Sequence, residues 1–202
     1  MSSLDVPLLL LFCCSLLTAS ICAGLIYAYR WDYKFSTFSK CLLISLSFLG
    51  SFVFGYLQDN SQLIPTCLEV VLFGPLIFLC ATDLKALELP DRVNLLVGIL
   101  GLIHLLVAPF PPQSGLLTAI ILFIAFFLIA LVSRGGLGGG DIKYVLAFGL
   151  WIPPHLILPF LLFSTLSASI YGILALIISR ENTVLPFGPF LILASIYLLF
   201  IL

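Results

Sequence analysis

Charge is scarce in this chain: eight Lys and Arg and nine Asp and Glu among 202 residues, 8% in all, against 62% hydrophobic residues. Together with a mean hydropathy of +1.30, that scarcity excludes a water-soluble globular domain of this size and makes the chain an integral membrane protein. No basic cluster accompanies the net charge of -1, so nothing argues for a nucleic-acid partner. The six cysteines, Cys13, Cys14, Cys22, Cys41, Cys67 and Cys80, form no C-x-x-C pair and fall mostly in apolar runs. Neither a zinc site nor a disulfide framework is indicated, no metal or cofactor is expected, and the cysteines read as small buried apolar residues. Residues Met1 to Pro7 carry no Lys or Arg; without a cationic leader region, the first apolar run reads as a retained span.

What the chain has in quantity is long apolar runs. Turn signals and charges cut it at about 7–29, 40–57, 64–82, 93–109, 114–133, 142–154, 155–179 and 184–202, most near the ~20 residues a bilayer requires. The expected fold is therefore an all-α, polytopic transmembrane bundle of about eight spans. With both termini outside, the inner connections hold all eight cations: Arg30, Lys34, Lys40, Lys85, Arg92, Arg134, Lys143 and Arg180. The outer connections, 58–63, 110–113 and 153–155, hold none, as the positive-inside rule requires. The chain reads as one integral membrane domain, 1–202, with two N-terminal spans in 1–60 and a six-helix core in 61–202. The segment from Ile142 is short; either its helix continues through Pro153 and Pro154 with a kink, or Asp141 lies in a thinned or water-filled region.

Two carboxylates stand out against this background. Asp141 follows Gly138, Gly139 and Gly140, glycines that let backbone approach closely. Asp83 closes the third span, and span parity places both on one membrane face. An intramembrane carboxylate is costly and marks a functional site. Two at one depth suit aspartic hydrolysis: like charges a few ångströms apart cannot both ionise cheaply, so the pair holds one shared proton. The ionised member activates water while the protonated one hydrogen-bonds the scissile carbonyl. Asp141 precedes a helix and has Lys143 nearby, both favouring charge, whereas Asp83 lies near a helix C-terminus. The expectation is that Asp83 carries the proton.

Three separated elements resemble the type IV prepilin peptidases, polytopic aspartic proteases of the Gly-x-Gly-Asp class. They are Asp83 to Asp91, ending Leu-Pro-Asp; Gly138 through Lys143; and Leu185-Pro-Phe-Gly-Pro-Phe-Leu near the C-terminus. Glu69 is similar to a glutamate found at that place in the family. The resemblance implies a bacterial inner-membrane endopeptidase with Asp83 and Asp141 as its catalytic pair. Gly138, Gly139, Gly140, Lys143, Asp91, Pro186, Gly188 and Pro189 would support the site or bind substrate. Its partner would be a type IV prepilin or a type II secretion pseudopilin, whose basic leader it would remove after a glycine at the cytoplasmic face. Members that also N-methylate carry a C-x-x-C domain after the first span. Here that connection, Tyr29 to Lys40, is about a dozen residues, too short for a domain, which argues for a peptidase-only form.

Blander readings stand beside these. Asp91 suits an N-cap, as does Asp141; Lys143, Lys85 and Arg92 suit snorkelling to the interface. Glu69, His104 and His155 fall toward the outer side, far from the pair, in structural or solvated roles. Pro186, Gly188 and Pro189 either interrupt a helix or line the pair. A small transporter or channel subunit with paired carboxylates, and an inactive assembly subunit, are the rival functions. Asp32, Glu88, Asp91 and Glu181 are candidates for meeting a basic leader, although the eight cations on that face leave it net positive.

Overall fold

The computed structural model describes residues 5–58, 63–133, 136–179 and 186–201. Arg134, Gly135, Arg180, Glu181, Leu185 and most of the 58–63 connection lie outside them, as does the side chain of Arg30. Every element among the described residues is helical: α1 (Asp5–Ala28), α2 (Arg30–Tyr33), α3 (Thr37–Leu57), α4 (Leu63–Ala86), α5 (Asp91–His104), α6 (Pro112–Val132), α7 (Gly139–Gly149), a 3-10 turn (Pro154–Leu156), α8 (Ile157–Ser179) and α9 (Gly188–Leu199). Backbone polar groups in a bilayer must be satisfied within the segment, and the helix does this.

Each expected apolar run contains a helix, but five are long and apolar enough to cross a membrane: α1, α3, α4, α6 and α8. Helices α5, α7 and α9 have 14, 11 and 12 residues. At 1.5 Å per residue they reach roughly 16–21 Å, short of the ~30 Å hydrocarbon core. The kinked continuation through Pro153 and Pro154 does not occur. The helix stops at Gly149, the chain turns through Pro153, and α8 begins at Ile157. Proline removes a backbone donor and disfavours helix in the residue before it.

The bundle is built around α4, 72% of whose apolar window is buried against 22–33% for the other four long helices. It packs against α1, α3, α5 and α9, while α7 packs against α5, α6 and α9. Lipid is as apolar as leucine, so helices associate through close packing and hydrogen bonds. Both are present. Thr18 donates to the Val70 carbonyl across α1 and α4 at 2.9 Å, and a Cβ on Gly149 would stand 2.5 Å from Ala119 Cα, so only glycine lets α7 meet α6 there. The cysteines are not uniformly buried: Cys13 and Cys41 are exposed on helices whose outer faces are apolar.

A buried polar cluster sits at the far end of α4. His104 Nε2 lies 3.3 Å from Glu69 Oε1, and the imidazole stacks on Trp151 at 4.7 Å. Trp151 donates to the Val97 carbonyl at 3.2 Å, so the cluster ties α4 and α5 to the turn after α7. Glu69→Ala is expected to lower stability by about 1–3 kcal/mol, the cost of leaving a buried polar partner unmet. Thermal unfolding in detergent, with Glu69→Gln as the variant that retains an acceptor, measures it.

Candidate active site

Three helix ends converge on one cleft. The last turn of α4 brings Asp83, the first turn of α7 brings Asp141, and both carboxyls line a cavity of about 390 Å³ with Leu87, Glu88, Leu89, Pro90, Asp91 and Gly138 to Gly140. The start of α9 lies against Asp83: the Gly188 N–H donates to Asp83 Oδ2 at 2.9 Å. A Cβ on Gly188 would stand 2.8 Å from that oxygen, so glycine is what permits the contact. The Pro-Phe-Gly-Pro run therefore does more than interrupt a helix. Pro186 and Phe187 lead into α9, Pro189 occupies its first turn, and Gly188 reaches the carboxyl.

The glycine run works differently at each position. Gly138 is the N-cap of α7, with extended backbone, and its N–H hydrogen-bonds the Asp141 side chain. Asp141 is thus three residues into the helix, bonding back toward the cap, and is not itself the N-cap. Gly140 lies so close to the α4–α5 connection that a Cβ would stand 2.9 Å from Leu89 Cβ. Gly139 has nothing within 4 Å of where a Cβ would be and leaves an open edge on the cleft. Asp141 is 7% exposed, and its Oδ1 has no hydrogen-bond partner among the described residues.

The surrounding charges depart from expectation. Lys143 does not serve Asp141: its Nζ pairs with Asp91 Oδ2 at 2.6 Å, on the exposed side of the cleft. Asp91 in turn is not an N-cap; Pro90 holds that position and Asp91 is the first residue of α5. Lys85 turns away, donating to the Lys34 carbonyl at 2.8 Å and lying 4.7 Å above the Phe35 ring. The N-terminus of α9 presents a backbone donor to the Asp83 carboxyl, a charge-favouring contact additional to the helix ends read from the sequence. Asp141 is buried with one carboxyl oxygen unpartnered among the described residues, whereas Asp83 has the Gly188 donor, so the surroundings of Asp83 favour charge more than those of Asp141. Glu69 and His104 are held in the separate cluster at the other end of α4.

Several supporting residues escaped the sequence. Asn94 donates to the Gly140 carbonyl at 3.2 Å and fixes α5 against the glycine turn; its signal was a lone amide in an apolar run. Tyr144 and Ser195 hydrogen-bond at 2.6 Å, fully buried, and pin α7 to α9. Leu87, at φ 56, takes the left-handed conformation that ends α4, a place where glycine is the usual marker. Among the described residues no group of three or more His, Cys, Asp or Glu is placed to hold a metal ion.

Comparison with known proteins places these features in a family. Residues 70–173 match the type IV leader peptidase family, a stretch containing both aspartates. The chain is 30% identical over 184 residues to a prepilin leader peptidase/N-methyltransferase of Legionella pneumophila, covering 85% of this chain and 62% of that protein. Proteins of the same name in Xanthomonas campestris and Bacillus subtilis are each 30% identical, over 161 and 130 residues, covering 76% and 63% of this chain and 53% and 52% of their own. The chain thus spans about half the length of several of the curated relatives it matches. No solved structure matches it significantly. An all-helical membrane chain whose two aspartate motifs meet in one cleft, and whose matched region contains both, belongs to the type IV leader peptidase family.

Proposed function

We propose that this protein is an aspartic endopeptidase of the bacterial inner membrane that removes the basic leader of a type IV prepilin or type II secretion pseudopilin. The cut falls after a glycine at the cytoplasmic face, and a peptidase-only form is the simplest reading of the short connection after the first span. The observation that carries this reading is the shared cleft of Asp83 and Asp141, edged by the glycine turn, with the Gly188 N–H bonded to Asp83. In this reading α5, α7 and α9 complete an eight-span bundle with both termini outside. Residues 61–202 form the peptidase core and 1–60 an accessory pair of spans, in contact with lipid and without a metal or nucleic-acid partner.

The mechanism follows from the unequal surroundings of the two carboxyls. Asp141 holds the shared proton and hydrogen-bonds the carbonyl to be attacked; Asp83, oriented by the Gly188 N–H, accepts a proton from the attacking water. The open edge at Gly139 lets an extended backbone lie beside the pair, and Gly138 and Gly140 keep side chains out of its way. The pair titrates as a unit. Raising pH until the pair loses its shared proton removes the acid, so kcat/KM is expected to fall on that side. Lowering pH until both carboxyls are protonated removes the base. A cleavage profile flat from pH 6 to 9 would count against a shared carboxylate proton.

The direct test is co-expression with a prepilin or pseudopilin and intact mass of the product. A single cut after glycine without a methyl mass increment is the expected result; an uncut substrate in every pairing would defeat the assignment.

A further inference from the structure

A fully buried pair of hydroxyls joins two of the helices that build the cleft. Tyr144 lies one turn after Asp141 on α7, and Ser195 two turns after Gly188 on α9. Residues at such spacings share a helix face, so the bond between them joins the faces that carry Asp141 and Gly188. The two oxygens stand 2.6 Å apart, and neither side chain is exposed. The next bond settles the direction of this one. Ser195 Oγ donates to the Leu191 carbonyl at 2.8 Å, which uses its single proton, so Tyr144 is the donor to Ser195. The relay thus ends at Leu191, one turn from Gly188. The Tyr144 ring is stacked on Phe148 at 6.1 Å, and Phe148 on Phe160 of α8 at 5.5 Å.

A buried hydroxyl costs free energy unless it is bonded, and phenylalanine would fill the same space as Tyr144. What the hydroxyl adds is direction. Apolar burial is non-directional, and the rest of the buried face of α9, including Leu191, Ile192, Ala194 and Leu198, is aliphatic. A hydrogen bond fixes distance and angle, and with them the height of α9 along α7. The far end of α9 is tied separately, where Gln58 donates to the Leu199 carbonyl at 2.8 Å. Gly188 is the first residue of α9, so its N–H meets Asp83 Oδ2 only while the helix keeps that height. We propose that Tyr144 and Ser195 are positioning residues for the carboxyl pair: their bond sets α9 against α7 so that the Gly188 N–H reaches Asp83 beside Asp141. Neither residue lines the cleft; both act through Gly188.

The kinetic consequence rests on the endopeptidase reading, so one arm of the test uses cleavage and the other does not. In the first, kcat and KM for a prepilin are measured for the unaltered protein, Tyr144→Phe, Gly188→Ala and the two substitutions together, below the unfolding temperature of each. Tyr144→Phe is expected to lower kcat about tenfold with KM held within about twofold. Added to Gly188→Ala, which has already broken the contact, it is expected to cost less than about twofold, the non-additivity of residues that act through one another. An unchanged kcat, a loss confined to KM, or the same loss in both backgrounds overturns the proposal. If the unaltered protein cuts no prepilin, the endopeptidase reading fails and the second arm still decides. There amide hydrogen exchange is followed in detergent. Tyr144→Phe and Ser195→Ala are each expected to speed exchange at Gly188 about tenfold or more while the amides of α1 are unchanged. No change at Gly188, or equal acceleration in α1, overturns it.

Discussion

Asp83→Asn and Asp141→Asn are each expected to lower leader cleavage by about 10²–10⁴-fold, the range of a positioned acid or base. Asparagine keeps the size of the carboxyl, and at Asp83 an oxygen can still accept from Gly188 N–H, so the loss would be chemical and not a collapse of the cleft. Stability provides the control. A carboxyl buried as Asp141 is favours the folded state less and less as pH rises from about 4 toward neutrality, because folding then requires a buried charge. Asp141→Asn removes the penalty and is expected to unfold no lower than the native chain above neutral pH, with its advantage growing through that window. Intact mass of the substrate measures the first effect and thermal unfolding at two pH values the second. Full cleavage by either variant would remove the aspartates from the mechanism.

Gly188→Ala is expected to cost about 10²-fold in kcat/KM, the scale associated with a shift of about 1 Å in a reacting group. The added Cβ would lie 2.8 Å from Asp83 Oδ2 and 2.9 Å from its Cγ, too close for either to stay. The backbone donor at the start of α9 and the carboxyl must therefore separate, and Asp83 loses the contact that orients it. Gly24→Ala, on α1 away from the cleft, is the matched control, since nothing lies within 4 Å of its Cβ position; equal loss on both would mean that the added methyl acts generally and the Asp83 contact does not decide.

What could be read without coordinates was what repeats along the chain. Apolar runs long enough to form helices announce themselves, and each contained one. Their lengths as helices did not: α7 stops at Gly149, ahead of Pro153 and Pro154, and α5 ends at His104, short of the apolar run that reaches 109. At the site, Asp83, Asp141 and Gly188 were legible because rare residue types stand in apolar surroundings. Pairings were not. Lys143 is two residues from Asp141 yet bonds Asp91, 52 residues away, and Glu69 finds His104 across 35 residues. Helix phase and tilt choose among such partners, and neither is written in spacing. Asn94 and the Tyr144–Ser195 bond belong to the same class, residues whose role depends on which neighbour faces them.

The bond between Gly188 and Asp83 closes a loop of 105 residues, and that has a bearing on biogenesis. Helices enter a membrane in the order in which they are made, and α4 and α7 precede α9. Until α9 docks, Asp83 lacks its backbone donor and the cleft lacks one of its three helix ends. In the endopeptidase reading, the carboxyl pair is therefore complete only once α9 has docked, well after both aspartates have been made.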